Sequence, residues 1–350
     1  MNHKFSCALA CAALSATSAS HAADSVSMYG LIDLGLTYYS STAAGSSMVR
    51  MDSGIAQRSR LGFRGNEDLG GGNSAFFTLE TGFAADTGTL GQGGAIFGRQ
   101  AVIGVRNQRY GTLSLGRQYD FMSNLGVGYA LGTNSAAGSF AWGLHADAAN
   151  GAVLNNHIYV GDRTTNSIKY QTADIGGFSA GMMVGLGEVA GNASAGRTAS
   201  GLASYAKGRF SAGAAFTHIR NAADTGSTRM AGFGANYAFE RTKVWGIATD
   251  VTTTLTSARA RTYEIGANHA LTPDLEFGGA YQYQDRNQGI GHARALVAVL
   301  DYKLSRHTDA YLSGVYANDD GYNAYPVYGG GIQAAGGVQS ALRVGLRHRF

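Results

Sequence analysis

The chain has 350 residues, of which 52 are Gly, 19 are Tyr and only 2 are Pro, and 14% of its residues are charged. Soluble globular domains average about 25% charged residues and about 7% Gly, so this composition disfavours a soluble globule. The formal net charge of +4 is too small to indicate a nucleic-acid partner. No apolar run reaches the roughly 18 residues that a transmembrane helix requires.

Residues 1–22 are typical of a secretory signal peptide. Lys4 supplies a positive start, Phe5 to Ala19 form a short core of apolar and small residues, and Ser20-His21-Ala22 is a small-x-small cleavage site. An uncleaved membrane anchor is the less favoured alternative, because a spanning helix needs about 20 apolar residues. Both Cys residues of the chain lie in this segment. We therefore expect a mature chain without a disulfide, a thiol nucleophile or a cysteine-bound metal.

Residues 23–350 are predicted to form one all-β domain, a 16-stranded antiparallel transmembrane β-barrel. Apolar and polar residues alternate between short polar turns, and in the second half the strand pairs recur roughly every 32 residues, one hairpin per repeat. Longer connections such as 40–57 should face outward, and the short joints should face the periplasm. The sixteen strands are predicted near 26–39, 58–65, 74–86, 99–106, 112–118, 164–173, 178–188, 198–207, 210–220, 228–239, 243–254, 261–270, 275–286, 293–303, 308–318 and 338–350.

Charges in the second predicted strand can be oriented by parity. Arg58, Arg60 and Arg64 share one parity, whereas the apolar residues around Leu61 share the other. An arginine that faces lipid at the bilayer midplane costs about 2–4 kcal/mol, so the three arginines should face the lumen. In the fourth strand both faces are similarly apolar, and parity does not orient Arg99.

The segment Tyr119–Gly161 is too long for a simple hairpin connection and contains no convincing alternation. It is predicted to be one long loop after the fifth strand, and loops of this size in compact folds are usually functional. Its only charged residues are Asp120 and Asp147. Asp120 either caps the start of the loop or contributes to the pore, and both interpretations stay open at this point.

The last predicted strand alternates regularly. Its apolar residues share one face with an aromatic at the end, and three arginines share the other face. The outward set is Val338, Leu342, Val344, Leu346 and Phe350, and the inward set is Arg343, Arg347 and Arg349. A strand that is apolar outside and basic inside suits a membrane barrel with a water-filled lumen.

Three stretches resemble the Gram-negative general porin family, most closely the porins of β-proteobacteria. They are Ser27-Met28-Tyr29-Gly30-Leu31-Ile32-Asp33, Ser59-Arg60-Leu61-Gly62-Phe63-Arg64-Gly65-Asn66-Glu67-Asp68-Leu69-Gly70, and Gly98-Arg99-Gln100 together with Tyr110-Gly111-Thr112-Leu113-Ser114-Leu115-Gly116-Arg117-Gln118. The resemblance implies a homotrimer of sixteen-stranded barrels, with the loop at 119–161 folded into each lumen as a constriction. It also implies that Phe350 is the assembly signal that the barrel-assembly machinery recognises.

The same resemblance implies a set of site residues. Arg60 and Arg99 match a basic cluster on the wall at the constriction, and Arg163 and Arg117 are further candidate members. The other candidate lumenal charges are Arg58, Arg64, Asp33, Glu80, Asp120, Arg343 and Arg347. The long loop departs from many family members because it lacks their acidic Pro-Glu-Phe-Gly motif. A basic wall that faces so few carboxylates should favour anions.

These features predict a passive diffusion channel for small hydrophilic solutes and ions, anion-preferring, in the outer membrane of a Gram-negative bacterium. The alternative is a substrate-selective channel with a saturable binding site. The expected partners are two further copies of the chain, outer-membrane lipid and lipopolysaccharide, the barrel-assembly machinery and small anions. An enzyme is not predicted, since the G-x-S-x-G match at 177–181 opens a strand and not the strand-turn-helix elbow that this motif requires. No cofactor or metal is expected.

Overall fold

The computed structural model describes residues 25–142, 162–287, 291–320, 327 and 331–350. The predicted signal peptide at 1–22, Asp147 and the remainder of 143–161 lie outside the described residues, so the predictions made for them stay predictions.

Seventeen strands in the described residues form one antiparallel sheet. They are β1 (Ser25–Tyr39), β2 (Met48–Ser53), β3 (Arg60–Gly70), β4 (Asn73–Gly82), β5 (Gln100–Asn107), β6 (Gly111–Tyr119), β7 (Arg163–Gln171), β8 (Phe178–Gly185), β9 (Thr198–Lys207), β10 (Phe210–Arg220), β11 (Ser227–Ala238), β12 (Thr242–Thr253), β13 (Arg259–Ala270), β14 (Leu275–Arg286), β15 (His292–Lys303), β16 (Thr308–Asp319) and β17 (Val338–Arg349). Two α-helices, α1 (Phe121–Tyr129) and α2 (Leu131–Asn134), follow β6, and short 3₁₀ turns occupy Gln92–Gly94 and Gly138–Trp142. None of the described helices is long and apolar enough to cross a bilayer.

The sheet closes on itself, because β17 pairs with β16 on one side and with β1 on the other. β2 and β3 both pair with β1, one after the other along its length. They therefore form a single barrel strand that is interrupted at 54–59. Seventeen segments thus make a closed barrel of sixteen antiparallel strands, which confirms the predicted fold.

The interruption of the second barrel strand was not predicted, and the prediction that 40–57 is entirely loop is wrong because β2 lies within it. Gly54 has a φ of +74°, a left-handed conformation that Gly adopts without steric cost. The chain then turns inward, and the amide of Ala56 donates a hydrogen bond of 2.7 Å to the carboxylate of Asp33. Ile55 and Ala56 are buried as a result.

Side chains of β17 alternate between lipid and lumen as the sequence pattern predicts. Leu342, Val344 and Leu346 are exposed on the outer surface, whereas Arg343 and Arg347 are buried inside the barrel. A period of two residues is the geometry of any extended strand, so the apolar set can meet lipid only if the arginines point inward.

The two ends of the barrel wall meet at a close contact between Gly30 and Phe350. The amide of Gly30 donates to the carbonyl of Phe350 (2.9 Å), and the amide of Phe350 donates back (3.1 Å). A Cβ atom at position 30 would lie 2.3 Å from the Phe350 ring, so only Gly fits there without displacing the ring.

The described part of the long segment after β6 packs against the inner wall of the barrel. Leu125 and Tyr129 of α1 lie against Gly213 on β10 and Gly234 on β11, where a Cβ atom on Gly234 would come within 2.6 Å of Tyr129. Glycines on these strands leave space for α1 inside the barrel.

Candidate functional site

A cavity of about 600 Å³ lies inside the barrel, between α1 and the wall built by β3 to β6. Most of the arginines that the sequence predicts to face the lumen line this cavity. Its lining residues are Ala56, Gln57, Arg58, Arg60, Glu80, Arg99, Gln100, Tyr119, Ser123, Asn124, Val127, Gly132, Ser135, Gly138, Ser139, Asp162, Arg163 and Arg347.

Arg60 and Arg99 converge on the single carboxylate of Glu80. Arg99 Nε lies 2.6 Å from Glu80 Oε1, and Arg60 Nε lies 3.5 Å from Glu80 Oε2. The hydroxyl of Tyr29 donates a further hydrogen bond of 2.9 Å to the same carboxylate. Because Glu80 carries one negative charge, the two arginines retain a net positive charge next to the cavity.

Arg163 joins this cluster from the neighbouring strand, β7. Its Nη1 lies 2.5 Å from the carboxylate of Asp162, and its Nη2 donates to the hydroxyl of Tyr119 at 2.6 Å. Arg99 Nη2 donates to the same hydroxyl at 2.7 Å. The structure therefore brings together three of the predicted arginines, and Tyr119 links two of them.

Arg58 and Arg347 complete the basic lining. Arg58 is exposed to the cavity and makes no hydrogen bond or ion pair with a described residue. Arg347 is held by two carboxylates, with Nη2 2.8 Å from Asp309 and 3.3 Å from Asp301. Of these two arginines, only Arg58 contributes an uncompensated charge.

In the part of the loop that the structure describes, no charged side chain lines the cavity. Residues 121–142 include no Asp, Glu, Lys or Arg, and those that line the cavity are small, polar or apolar. This side is fixed by Glu264, a buried carboxylate on β13 that accepts hydrogen bonds from the amide of Leu131 (2.7 Å), Trp245 Nε1 (2.9 Å) and Gln282 Nε2 (2.6 Å). The positive field of the wall is therefore not opposed from across the cavity by the described part of the loop.

Arg117 is not among the residues that line the cavity. It pairs with Ala101, and its Nε donates to the carbonyl of Gly98, the residue before Arg99, at 2.7 Å. The alternation of β6 breaks at this point, because the register shifts between Gly116 and Gln118 and Tyr119 lines the cavity although it has the parity of the outward Leu113 and Leu115. The place of Arg117 in the basic wall stays a prediction.

Asp33 and Arg343 face inward but are buried under the 54–59 segment, so they are not exposed lumenal charges. Arg343 is fully buried, with Nη2 3.5 Å from Asp33 and Nε donating to the hydroxyl of Tyr311 at 2.7 Å. The same hydroxyl donates 2.5 Å to Asp33. The two charges hold the inner wall together and do not meet passing ions.

Asp120 caps the start of α1. Of the two roles that the sequence left open, a cap or a contribution to the pore, the structure supports the cap. Its carboxylate accepts from the amide of Ser123 (2.8 Å) and from the hydroxyl of Thr217 (2.7 Å). Burial raises the pKa of Asp120 to about 6, while these hydrogen bonds to the ionised form act in the opposite direction. Asp120 thus caps the N-terminus of the helix through its side chain.

Arg64 and Arg349 face inward, away from the residues that line the cavity. Arg64 donates from Nε to Ser27 at 3.1 Å and stacks over the ring of Tyr29. Arg349 pairs with Asp309 at 2.6 Å. These positions agree with the parity of their strands.

Two residues of the site were missed in the sequence. Tyr119 is the last residue of β6, and in the sequence it resembles the many other aromatic residues near strand ends. Asp162 lies one residue beyond the predicted loop. The pairing of Tyr119 with Arg163 across β6 and β7, which brings Tyr119 and Asp162 to the cluster, is visible only in the structure.

Comparison with known proteins gives consistent matches. A family model described as Gram-negative porin matches residues 8–322. Outer membrane porin protein 32 of Delftia acidovorans is 30% identical over 355 residues, covering 98% of this chain and 99% of that protein. An outer membrane porin protein of Bordetella pertussis is 27% identical over 392 residues, covering 95% and 96%. The solved structure of an anion-selective porin from Comamonas acidovorans has a TM-score of 0.79 at 26% identity, covering 94% of this chain and 100% of that one.

Proposed function

The chain belongs to the Gram-negative porin family, and from this we propose that its arginine cluster makes the channel prefer anions. The protein is an outer-membrane porin, a water-filled channel for passive diffusion of small hydrophilic solutes and ions, and not an enzyme. The preference for anions, the constriction and the residues that form it are the parts of the function that we propose.

This proposal rests on the observation that the arginines around the cavity outnumber the carboxylates that pair with them. Arg60 and Arg99 share one carboxylate, Glu80, and Arg58 has no ion pair among the described residues. Arg163 has Asp162 as a partner. About two positive charges therefore remain uncompensated around the cavity. Low-dielectric barrel walls focus the field of such charges into the lumen, where it attracts anions and repels cations.

We propose that the segment 119–161 narrows the channel at these arginines. Its described helices pack on β8 to β12 and on β14, and its described residues line the same cavity as the arginines. An ion in transit would thus pass between a basic wall and the residues 121–142, which include no charged side chain. The Comamonas acidovorans protein, which is described as anion-selective, supports this assignment by its similarity along nearly the whole chain.

Salt dependence tests the electrostatic origin of the preference. The Debye length is about 10 Å at 0.1 M salt and about 3 Å at 1 M, so salt screens the cluster progressively. We expect the chloride-over-potassium permeability ratio to exceed unity at 0.1 M KCl and to decrease towards unity at 1 M. A ratio that is independent of salt would point to sieving by size and not to fixed charge.

We propose that the porin is a homotrimer, as the trimeric form of a solved structural neighbour from Vibrio cholerae suggests. A closed barrel has no unpaired backbone edge in lipid, so it resists unfolding in detergent. Unboiled protein in SDS should migrate as a large compact species and should collapse only after boiling to a monomer slightly smaller than the 36.4 kDa of the full chain. Migration as a monomer before boiling would contradict the trimer.

We propose that Phe350 serves assembly and not conduction. Its ring lies on the outer surface where β17 meets β1, away from the cavity. Phe350→Ser should lower the amount of folded protein in the outer membrane and leave the unit conductance of the remaining channels unchanged. Phe239→Ser, which removes another exposed outward ring, is the matched control. Equal losses of folded protein in the two variants would contradict a special role in recognition by the assembly machinery.

We propose that phosphate groups of outer-leaflet lipids, including lipopolysaccharide, bind a pair of arginines, Arg259 and Arg261, on the outer surface. Arg259 and Arg261 on β13 share one carboxylate, Asp250. They lie at the end of the barrel opposite the short turns, which is the extracellular end in such barrels. Replacement of both arginines by Gln should reduce the phosphorylated lipid that copurifies, whereas Arg209→Gln in a short turn should not. Unchanged lipid content in the double variant would exclude this surface.

A further inference from the structure

We propose that Tyr119 is a positioning residue that joins Arg99 and Arg163 into one cationic unit, and that the permeability ratio depends on its hydroxyl. The inference rests on the proposed anion preference and extends it to an uncharged side chain. Tyr119 carries no charge itself, so any effect on ion permeability must act through the arginines that it contacts.

The hydroxyl oxygen of Tyr119 accepts hydrogen bonds from both guanidinium groups. Arg99 Nη2 lies 2.7 Å from it and Arg163 Nη2 lies 2.6 Å from it. The Arg163 guanidinium also stacks over the Tyr119 ring, with Cζ 4.5 Å from the ring centre. The two guanidinium groups repel each other because both carry a positive charge. Their hydrogen bonds to one shared acceptor, the Tyr119 oxygen, offset part of this repulsion.

Each arginine has a separate carboxylate on its other side. Arg99 pairs with Glu80 on β4, and Arg163 pairs with Asp162, the residue before β7. Among the described residues of the site, the hydroxyl of Tyr119 is hydrogen-bonded to an arginine of each ion pair. Tyr119 is therefore the hydrogen-bonding bridge between the two ion pairs.

The backbone of Tyr119 is fixed independently of its hydroxyl. Tyr119 pairs with Arg163 across β6 and β7, its carbonyl accepts from Lys169 Nζ at 2.9 Å, and the next amide, of Asp120, donates to the carbonyl of Asp162 at 3.1 Å. Removal of the hydroxyl should thus leave the strand and the ring in place. Only the two guanidinium groups lose a contact.

Tyr119 also fixes the orientation of both guanidinium groups. Arg99 and Arg163 line the cavity, and Arg99 Nη1 and Arg163 Nε are buried without a hydrogen-bond partner among the described residues. Because these two atoms add no further contact, the Tyr119 hydroxyl and the two carboxylates set the position of both guanidinium charges beside the cavity. Without the hydroxyl, each arginine would relax towards its own carboxylate.

The test is Tyr119→Phe, which removes one oxygen and no charge. Moving one unit charge from about 4 Å to about 6 Å from the ion path, at the dielectric constant of water, changes a permeability ratio about twofold. We expect the chloride-over-potassium ratio of the variant to fall about twofold at 0.1 M KCl. Tyr316→Phe, on the outer surface, is the matched control and should leave the ratio unchanged.

A double-mutant cycle separates bridging from other effects. In an Arg163→Gln background the bridge is already broken, so Tyr119→Phe should have clearly less than its twofold effect. Equal effects in both backgrounds would overturn the proposal, as would a loss of SDS resistance in Tyr119→Phe that accompanies the change in ratio.

The remaining outcomes distinguish this inference from the proposed function. Anion preference in the unmodified channel together with an unchanged ratio in Tyr119→Phe overturns the role of Tyr119 alone. Cation preference in the unmodified channel overturns the proposed function and the role of Tyr119 with it.

Discussion

Replacing Arg58 and Arg60 together with Gln should lower the chloride-over-potassium permeability ratio about tenfold. A unit charge about 4 Å from an ion contributes about 1 kcal/mol in water, or about fivefold in a ratio, and salt reduces the combined effect of two charges. In the variant, Arg99 keeps Glu80 and Arg163 keeps Asp162. The cluster should then consist mainly of neutral pairs. The ratio can be measured from reversal potentials at 0.1 M KCl.

These two arginines are suited to the test because neither is the sole partner of a buried carboxylate. Arg58 has no ion pair among the described residues, and Glu80 retains Arg99 when Arg60 is removed. Reversal of Arg99 to Glu would instead place a second carboxylate against the buried Glu80 and perturb the fold. Arg64→Gln, inward on the same strand but outside the cavity lining, is the control and should change the ratio less than twofold. A comparable change in both variants would contradict a local role for the cluster.

Arg343→Met should lower the free energy of unfolding by about 3–5 kcal/mol, the typical cost of breaking a buried ion pair from one side. The side chain of Arg343 is fully buried and donates to the hydroxyl of Tyr311, the hydroxyl of Thr37 and the carbonyl of Asp52, beside the carboxylate of Asp33. Met fills part of the space but leaves these acceptors and the charge of Asp33 without their cationic donor. Urea titration of the folded barrel in lipid measures the change.

The control for this prediction is Arg349→Gln on the same strand. The Arg349 side chain is 39% exposed, and its partner Asp309 retains Arg347. A partly exposed pair of this kind contributes about 0–1 kcal/mol. An equal loss in the free energy of unfolding in the two variants would contradict the claim that the buried network around Arg343 stabilises the barrel more than a partly exposed ion pair does.

Alternation along the chain predicted most of the barrel. The predicted strand 275–286 coincides with β14, and 293–303 differs from β15 by one residue. These strands have lipid on one face, so every second residue must be apolar, and the period of two is unambiguous. The fold was thus largely encoded in local patterns that do not require knowledge of tertiary contacts.

The interruption at 54–59 could not be predicted in this way. It depends on hydrogen bonds from the amides of Ala56 and Gln57 to Asp33, which lies more than twenty residues earlier. The helices after β6 were missed for a similar reason. Their sequence has little helical periodicity, and they are held by contacts with the opposite wall, such as that of Glu264 with Leu131.

The candidate site was predictable only in part. Parity placed Arg60 in the lumen, and the family resemblance placed Arg99 there. Parity fails at the end of β6, where a register shift lets Tyr119 line the cavity although it has the parity of the outward Leu113 and Leu115. The shared use of Glu80 and the bridge formed by Tyr119 involve residues that lie tens of positions apart in sequence, and such convergence of side chains is visible only in the folded barrel.

The reversal potential of the unmodified porin in a planar bilayer under a KCl gradient tests the central claim most directly. Because the uncompensated arginines attract anions, we predict a potential whose sign corresponds to chloride passing more readily than potassium. A potential of the opposite sign, or none, would contradict the assignment of the arginine cluster to the conducting constriction.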